Sequence, residues 1–197
     1  MREHPVNQLN NFIMGWYVDD ISFCDELINY HNHQDTVKEV GKVGLYSTED
    51  KDIKDSIDSS YRPDMLGYFK FGKHLQDAFN LYNEKYPDAS CDYGYSHVQA
   101  FNVQHYPKSG GFKTFHCERF QGDYPNVNRH LAWMGYLNTV TDNGGTEFKY
   151  QDLTIKAEKG LILIWPADWT YTHRGVVSTT EEKWIVTGWV HLNKGIK

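Results

Sequence analysis

The chain has 197 residues, enough for one domain with a substantial core and short for two. Apolar residues make up 40% and aromatics 15%, a mix that suits a globular protein with a sheet-rich interior. No apolar run approaches the roughly 20 residues that span a bilayer, and a net charge of −6 gives no electrostatic reason to seek nucleic acid or an anionic membrane.

Met1-Arg2-Glu3-His4-Pro5 has no apolar h-region, so no secretory leader is expected. Asp19 and Asp20 are candidate N-caps for a helix with Ile21, Phe23, Cys24, Leu27 and Ile28 at helical spacing. Residues 43 to 60 are charged, polar and aperiodic, which predicts a mobile loop. Pro63-Asp64 then opens a second helix carrying Leu66, Phe69, Leu75, Ala78, Phe79 and Tyr82. A break is expected near Gly72, and the helix should end before Pro87.

From about residue 93 the periodicity changes. Residues 98 to 106 read as a strand stopped by Pro107-Lys108-Ser109-Gly110-Gly111, and 112 to 120 as the next. Residues 130 to 137 form another, followed by turn chemistry at Thr141-Asp142-Asn143-Gly144-Gly145-Thr146. Leu161 to Trp165 is a continuous apolar run before Pro166, and Lys183 to Val190 is the last strand. Helices first and short strands afterwards predict a mainly β fold with N-terminal helices, a jelly roll or sandwich. No repeat or Pro/Gly/Ser-rich linker divides it. Residues 1–197 are therefore expected as a single domain, with helical support over about 1–92 and a catalytic core over about 93–192.

The chemistry sits on His116-Cys117-Glu118, on His173 55 residues after Glu118, and on Lys183 ten further on. Two imidazoles and one carboxylate can cap one face of an octahedral iron(II) and leave three positions open for a chelating co-substrate and dioxygen. On a strand, side chains alternate, so His116 and Glu118 point one way and Cys117 the other, which reads Cys117 as a packed thiol. The same period puts Lys183, Ile185, Thr187 and Trp189 on one face. His130 and His191 are rivals for the distal ligand, but His191 has no later strand to carry a basic partner and His130 lies close to the first pair. Arg174 competes with Lys183 for an anion, yet it adjoins His173 and should face away.

These motifs resemble the iron(II)- and 2-oxoglutarate-dependent dioxygenases with a double-stranded β-helix (cupin-like) fold, and within them the prolyl 4-hydroxylases. The likeness spans about residues 95 to 192. It runs through Asn102-Val103-Gln104-His105-Tyr106, the His116-Cys117-Glu118 dyad, Gly135-Tyr136-Leu137-Asn138, Gly144-Gly145-Thr146 and the stretch from Lys183 to Trp189. The resemblance implies that His116, Glu118 and His173 ligate Fe(II) and that Lys183 pairs with the distal carboxylate of 2-oxoglutarate. It implies that Tyr106, Tyr136 and Thr187 hydrogen-bond the co-substrate and that Trp189 walls the pocket. The implied reaction hydroxylates a prolyl residue in a peptide or protein, releases succinate and carbon dioxide, and uses ascorbate to rescue oxidised iron. The family's carboxylate is Asp, and this chain has Glu118, one methylene longer.

Other readings of the same residues remain. The site could hydroxylate a free amino acid, another small molecule or another side chain, or the jelly roll could be a non-catalytic binding module. A nucleic-acid demethylase is disfavoured by net charge. Cys24, Cys91 and Cys117 are odd in number, widely spaced and outside any CxxC pattern. They predict free thiols in a reducing, cytoplasmic compartment, that of a host cell if the chain is viral. Oligomeric state is left open.

Overall fold

The computed structural model describes residues 1–44, 47–65, 68–90, 95–96, 100–120 and 126–192. Its spine is an antiparallel sheet of nine strands among the described residues. From one edge to the other run Arg2–Glu3, Met14–Tyr17, Leu161–Pro166, Arg129–Tyr136, Lys183–Leu192, Phe101–Tyr106, Ile57–Tyr61 and Lys38–Val40. Tyr95–Ser96 pairs the far end of Lys183–Leu192. Smaller sheets lie beside it: Leu153–Ile155, Thr146–Phe148 and His173–Gly175 form one, and Gly111–Phe112 pairs with Lys54–Asp55.

Alternation along the central strands sorts the side chains into two cores. Leu131 and Trp133, Ile162 and Ile164, Val186 and Val190 join Phe23, Leu27, Phe71, Leu75 and Phe79 of helices α1 (Ser22–Asn32) and α2 (Tyr68–Lys85). On the opposite face, Ala132, Met134 and Tyr136 meet Leu161, Leu163 and Trp165, with Phe148 and Ile155 of the small sheet. The sheet is thus buried on both sides, which is why Leu161 to Trp165 is apolar without a break. At Gly188 an added Cβ would sit 2.5 Å from Trp133 Cζ2, so glycine lets the indole cross that strand.

Several expectations match the elements. Helix α1 begins one residue beyond the predicted Ile21, with Asp20 Oδ1 accepting from Ser22 N–H at 3.0 Å. Helix α2 ends at Lys85, before Pro87. The expected break at Gly72 is absent, because α2 runs through it and a side chain there would meet open space. Leu66, Val98, Gln99 and Cys91 lie outside the described residues.

Three expectations are corrected. The first 92 residues are not only helical support: they give the main sheet Arg2–Glu3, Met14–Tyr17, Lys38–Val40 and Ile57–Tyr61. The supposed loop of residues 43 to 60 contains Thr48–Glu49, Lys54–Asp55 and most of Ile57–Tyr61. It reads as polar because Lys54 and Ser56 both donate to Asp58, and Lys54 and Asp58 face a cleft. Further on, residues 112 to 120 are not a regular strand. Only Gly111–Phe112 is strand, and His116 pairs through an isolated bridge to His173.

Candidate active site

His116, Glu118 and His173 converge, with one ligand atom of each within 4.8 Å of the others. Glu118 Oε1 lies 3.6 Å from His116 Nε2 and 3.3 Å from His173 Nε2. Each ring is held at its other nitrogen by a main-chain carbonyl two residues earlier. Nδ1 of His116 is 3.0 Å from Thr114 O, and Nδ1 of His173 is 2.9 Å from Tyr171 O. A carbonyl only accepts, so Nδ1 carries a proton in each ring and Nε2 is the nitrogen that each ring turns toward Glu118. Phe112 stacks on His116 at 3.6 Å between centroids, and Trp165 and Phe148 pack around His173 at 5.1 and 5.5 Å.

Burial and charge act on both His116 and Glu118. Burial pushes the His116 imidazole below its ordinary value, and the charge of His173 adds to that, against the pull of Glu118. Burial alone would raise Glu118, but hydrogen bonds and charge from His116 and His173 outweigh it and hold the carboxyl well below the usual range. Two imidazoles and one carboxylate, with no thiolate in the set, suit iron(II). Cys117 donates to Arg119 O at 3.3 Å and is not among the clustered donors. His130 Nε2 lies 2.7 Å from Ala89 O, and neither it nor His191 joins the cluster.

The triad opens into a cleft of about 1680 Å³ between the main sheet and the smaller ones. Lys183, Ile185, Thr187 and Trp189 all line it, as period-two alternation requires. Lys183 is 6% exposed, and its ammonium has no carboxylate or other acceptor among the described residues. Burial lowers its pKa to about 8. Its Nζ lies 5.0 Å from the centre of the Tyr106 ring, carried on the adjacent strand in direct register. Arg174, the competitor, is partly exposed and bonded to Glu147 at 2.7 Å.

The remaining expected residues divide. Tyr106 lines the cleft and donates to Gln104 Oε1 at 2.6 Å. Thr187 lines it and donates to Trp133 O at 2.8 Å. Tyr136 does not reach the cleft wall. Its hydroxyl pairs at 2.7 Å with Thr146 Oγ1, and Thr146 takes the lining position instead. Trp189 is more than a wall, since its Nε1–H donates to Glu118 Oε2 at 2.7 Å.

Sequence reasoning missed Gln104, Arg129, Lys54 and Asp58. Asp58 accepts from Lys54 at 2.5 Å and from Ser56 at 2.7 Å, with Asn102 and Gln104 at 3.4 and 3.5 Å. Asn102 and Gln104 carried a signal, being polar at alternate positions with apolar Val103 between them. Lys54 and Asp58 carried none, because a charged run reads as solvated until its strand is paired.

Residues 101–191 match the family model of the 2OG-Fe(II) oxygenase superfamily. No curated protein matches the chain at the level of sequence. Among solved structures, a viral collagen prolyl hydroxylase from Paramecium bursaria Chlorella virus-1 is 18% identical, with a TM-score of 0.68 over 93% of this chain and 98% of that one. A Trichoplax adhaerens prolyl hydroxylase, solved with a hypoxia inducible factor peptide fragment, is 17% identical, with a TM-score of 0.73 over 95% of this chain and 87% of its own. A Pseudomonas putida prolyl-4-hydroxylase is 12% identical, with a TM-score of 0.70 over 95% and 96%. At these identities the likeness is one of fold, and the mainly β architecture is consistent with the oxygenase jelly roll. Over residues 101–191 the chain is similar to the 2OG-Fe(II) oxygenase superfamily, and in fold it is similar to prolyl hydroxylases.

Proposed function

We propose that the chain is an Fe(II)- and 2-oxoglutarate-dependent dioxygenase that hydroxylates prolyl residues in a peptide or protein, releasing succinate and carbon dioxide. The observation that carries this reading is the pairing, in one cleft, of the His116–Glu118–His173 cluster with a buried lysine that has no counter-ion among the described residues. A buried ammonium without a partner is costly, and an anionic ligand relieves that cost.

In this reading the core is a double-stranded β-helix within a single domain, and His116, Glu118 and His173 hold the iron. Bound iron supplies dioxygen activation and the oxidising power for an unactivated C–H bond. The chain supplies the rest. Lys183 neutralises the distal carboxylate of 2-oxoglutarate by a charge-assisted hydrogen bond, which orients its other end toward the triad. Tyr106 flanks that carboxylate, Thr187 meets the co-substrate further along the same strand, and Tyr136 acts at one remove by orienting the Thr146 hydroxyl. Phe112, Trp165 and Ile185 keep water from the space between.

The cleft exceeds the roughly 300–1,000 Å³ of a small-molecule pocket. It extends past the triad to Tyr30, His33 and Arg62. That length supports an extended peptide rather than a free amino acid, as does the peptide bound to the Trichoplax relative. We further infer ascorbate as the reductant that restores oxidised iron, and a reducing cytoplasmic setting for the free thiols Cys24 and Cys117.

The test is succinate release from 2-oxoglutarate with Fe(II) and ascorbate, comparing proline-containing peptides with free proline and scoring products for one added oxygen by mass spectrometry. Peptide-stimulated turnover with a hydroxylated product is expected. Stimulation by free proline alone would replace the peptide reading with a small-molecule one, and no iron-dependent decarboxylation would leave a binding module.

A further inference from the structure

The two carboxylate oxygens of Glu118 keep different company. Oε1 faces the imidazoles at 3.3 and 3.6 Å. Oε2 accepts from Trp189 Nε1–H at 2.7 Å and lies 3.6 Å from Arg129 Nη1. Arg129 grips the same residue again, donating to the Glu118 main-chain oxygen at 3.0 Å. Its guanidinium lies 3.7 Å over the Trp189 ring, so indole and guanidinium form one stacked wall behind Oε2. Neither group has a lone pair to offer a cation, so both act on the carboxylate alone.

The main chain makes a special arrangement for Arg129. Along its strand, Leu131 and Trp133 face the helices, and simple alternation would send Arg129 with them. The pairing shifts at this point: Leu131 faces Val190 but Arg129 faces His191, so one extra residue stands on the Arg129 side. That bulge turns the guanidinium onto the cleft face, the kind of re-aiming bulges provide beside active sites.

We propose that Trp189 and Arg129 are positioning residues that hold Glu118 to the metal through Oε1 alone, an inference that rests on the metal reading above. Glutamate is one methylene longer than aspartate and has one more rotatable bond with which to swing both oxygens inward. A carboxylate bound through both oxygens would occupy a fourth coordination position and leave two, too few for a chelating co-substrate and dioxygen together. The indole N–H and the guanidinium oppose that swing by keeping Oε2 engaged.

The experiment uses Co(II) as probe, read by its visible ligand-field absorption, with Trp189→Phe and Arg129→Gln each made in the native chain and in Glu118→Asp. In the native chain each change is expected to shift the band and to weaken Co(II) by about tenfold, the scale of losing an outer-shell partner. With Glu118→Asp the carboxylate retracts from the indole, and the same changes should move affinity by less than about twofold. Thermal melts of the metal-free variants establish that each is folded, and Arg129→Gln carries the comparison if Trp189→Phe is not. Equal losses in both backgrounds, or an unshifted band, overturn the proposal. A native chain with no saturable Co(II) signal would overturn the metal reading itself, a different outcome.

Discussion

His116 and His173 exchange both main-chain hydrogen bonds of an antiparallel bridge, His116 N–H to His173 O at 2.9 Å and His173 N–H to His116 O at 2.8 Å. The backbone, not the metal, therefore sets the two imidazoles side by side, with ring centres 4.5 Å apart. Because neither bond uses the side chain, removing one ring leaves the bridge in place. His116→Ala and His173→Ala should stay folded by circular dichroism and lose metal affinity by more than the roughly 10–100-fold of an outer-shell change. Succinate release should vanish with it, and turnover in either variant would mean the triad is misassigned.

Lys183→Ala removes the cation proposed to meet the co-substrate's distal carboxylate. Leaving that carboxylate buried and unpaired costs about 3–5 kcal/mol, or roughly two to three and a half decades in 2-oxoglutarate affinity. Titration of metal-loaded protein measures it. Unchanged affinity would eliminate Lys183 from that role.

The same lysine gives a pH dependence with opposite signs for stability and binding. Burial holds its folded-state pKa at about 8 against 10.5. Between those values the unfolded chain binds a proton that the folded chain does not, so this group makes metal-free stability rise with pH across the window. Binding runs the other way: the ammonium is the anion-binding form, and 2-oxoglutarate affinity should fall above pH 8 by up to about tenfold per unit. Lys183→Arg keeps its charge and should flatten the profile. A flat profile in the native chain would contradict the assignment.

Lys54 and Asp58 form a second ionic contact in the cleft, at 2.5 Å, with side chains 5% and 14% exposed. Lys54→Met leaves Asp58 its bonds from Ser56, Asn102 and Gln104 but no counter-charge. A loss of about 2–3 kcal/mol in urea unfolding is expected, below the roughly 3–5 of a fully buried pair, because Asp58 keeps some contact with water. A midpoint shift near zero would mark the pair as a surface contact.

The site's chemistry was legible because it depends on residue type and short spacing. Two imidazoles, one carboxylate and a later lysine can be read from letters alone, and period two correctly grouped Lys183, Ile185, Thr187 and Trp189. The same rule gave the right outcome for His116 and Glu118 by a different route, since a bridge and two carbonyl contacts, not a regular strand, orient the rings. Two other positions lay beyond what alternation decides. Tyr136 pairs with Thr146 behind the wall, and Arg129 crosses to the cleft face through a bulge that no local pattern announces.

Local sequence fixed what could be decided within a turn or a strand: α1 and α2, the apolar run of Leu161 to Trp165, and the identities of the candidate ligands. Tertiary structure decided everything that needed a partner from far along the chain. Residues 43 to 60 became sheet only because Ile57–Tyr61 finds Phe101–Tyr106, and Lys54 became a cleft residue only because Asp58 offsets its burial. The division follows from range: helix spacing and alternation are short-range properties, whereas strand pairing, bulges and buried charge pairs exist only after distant segments have met.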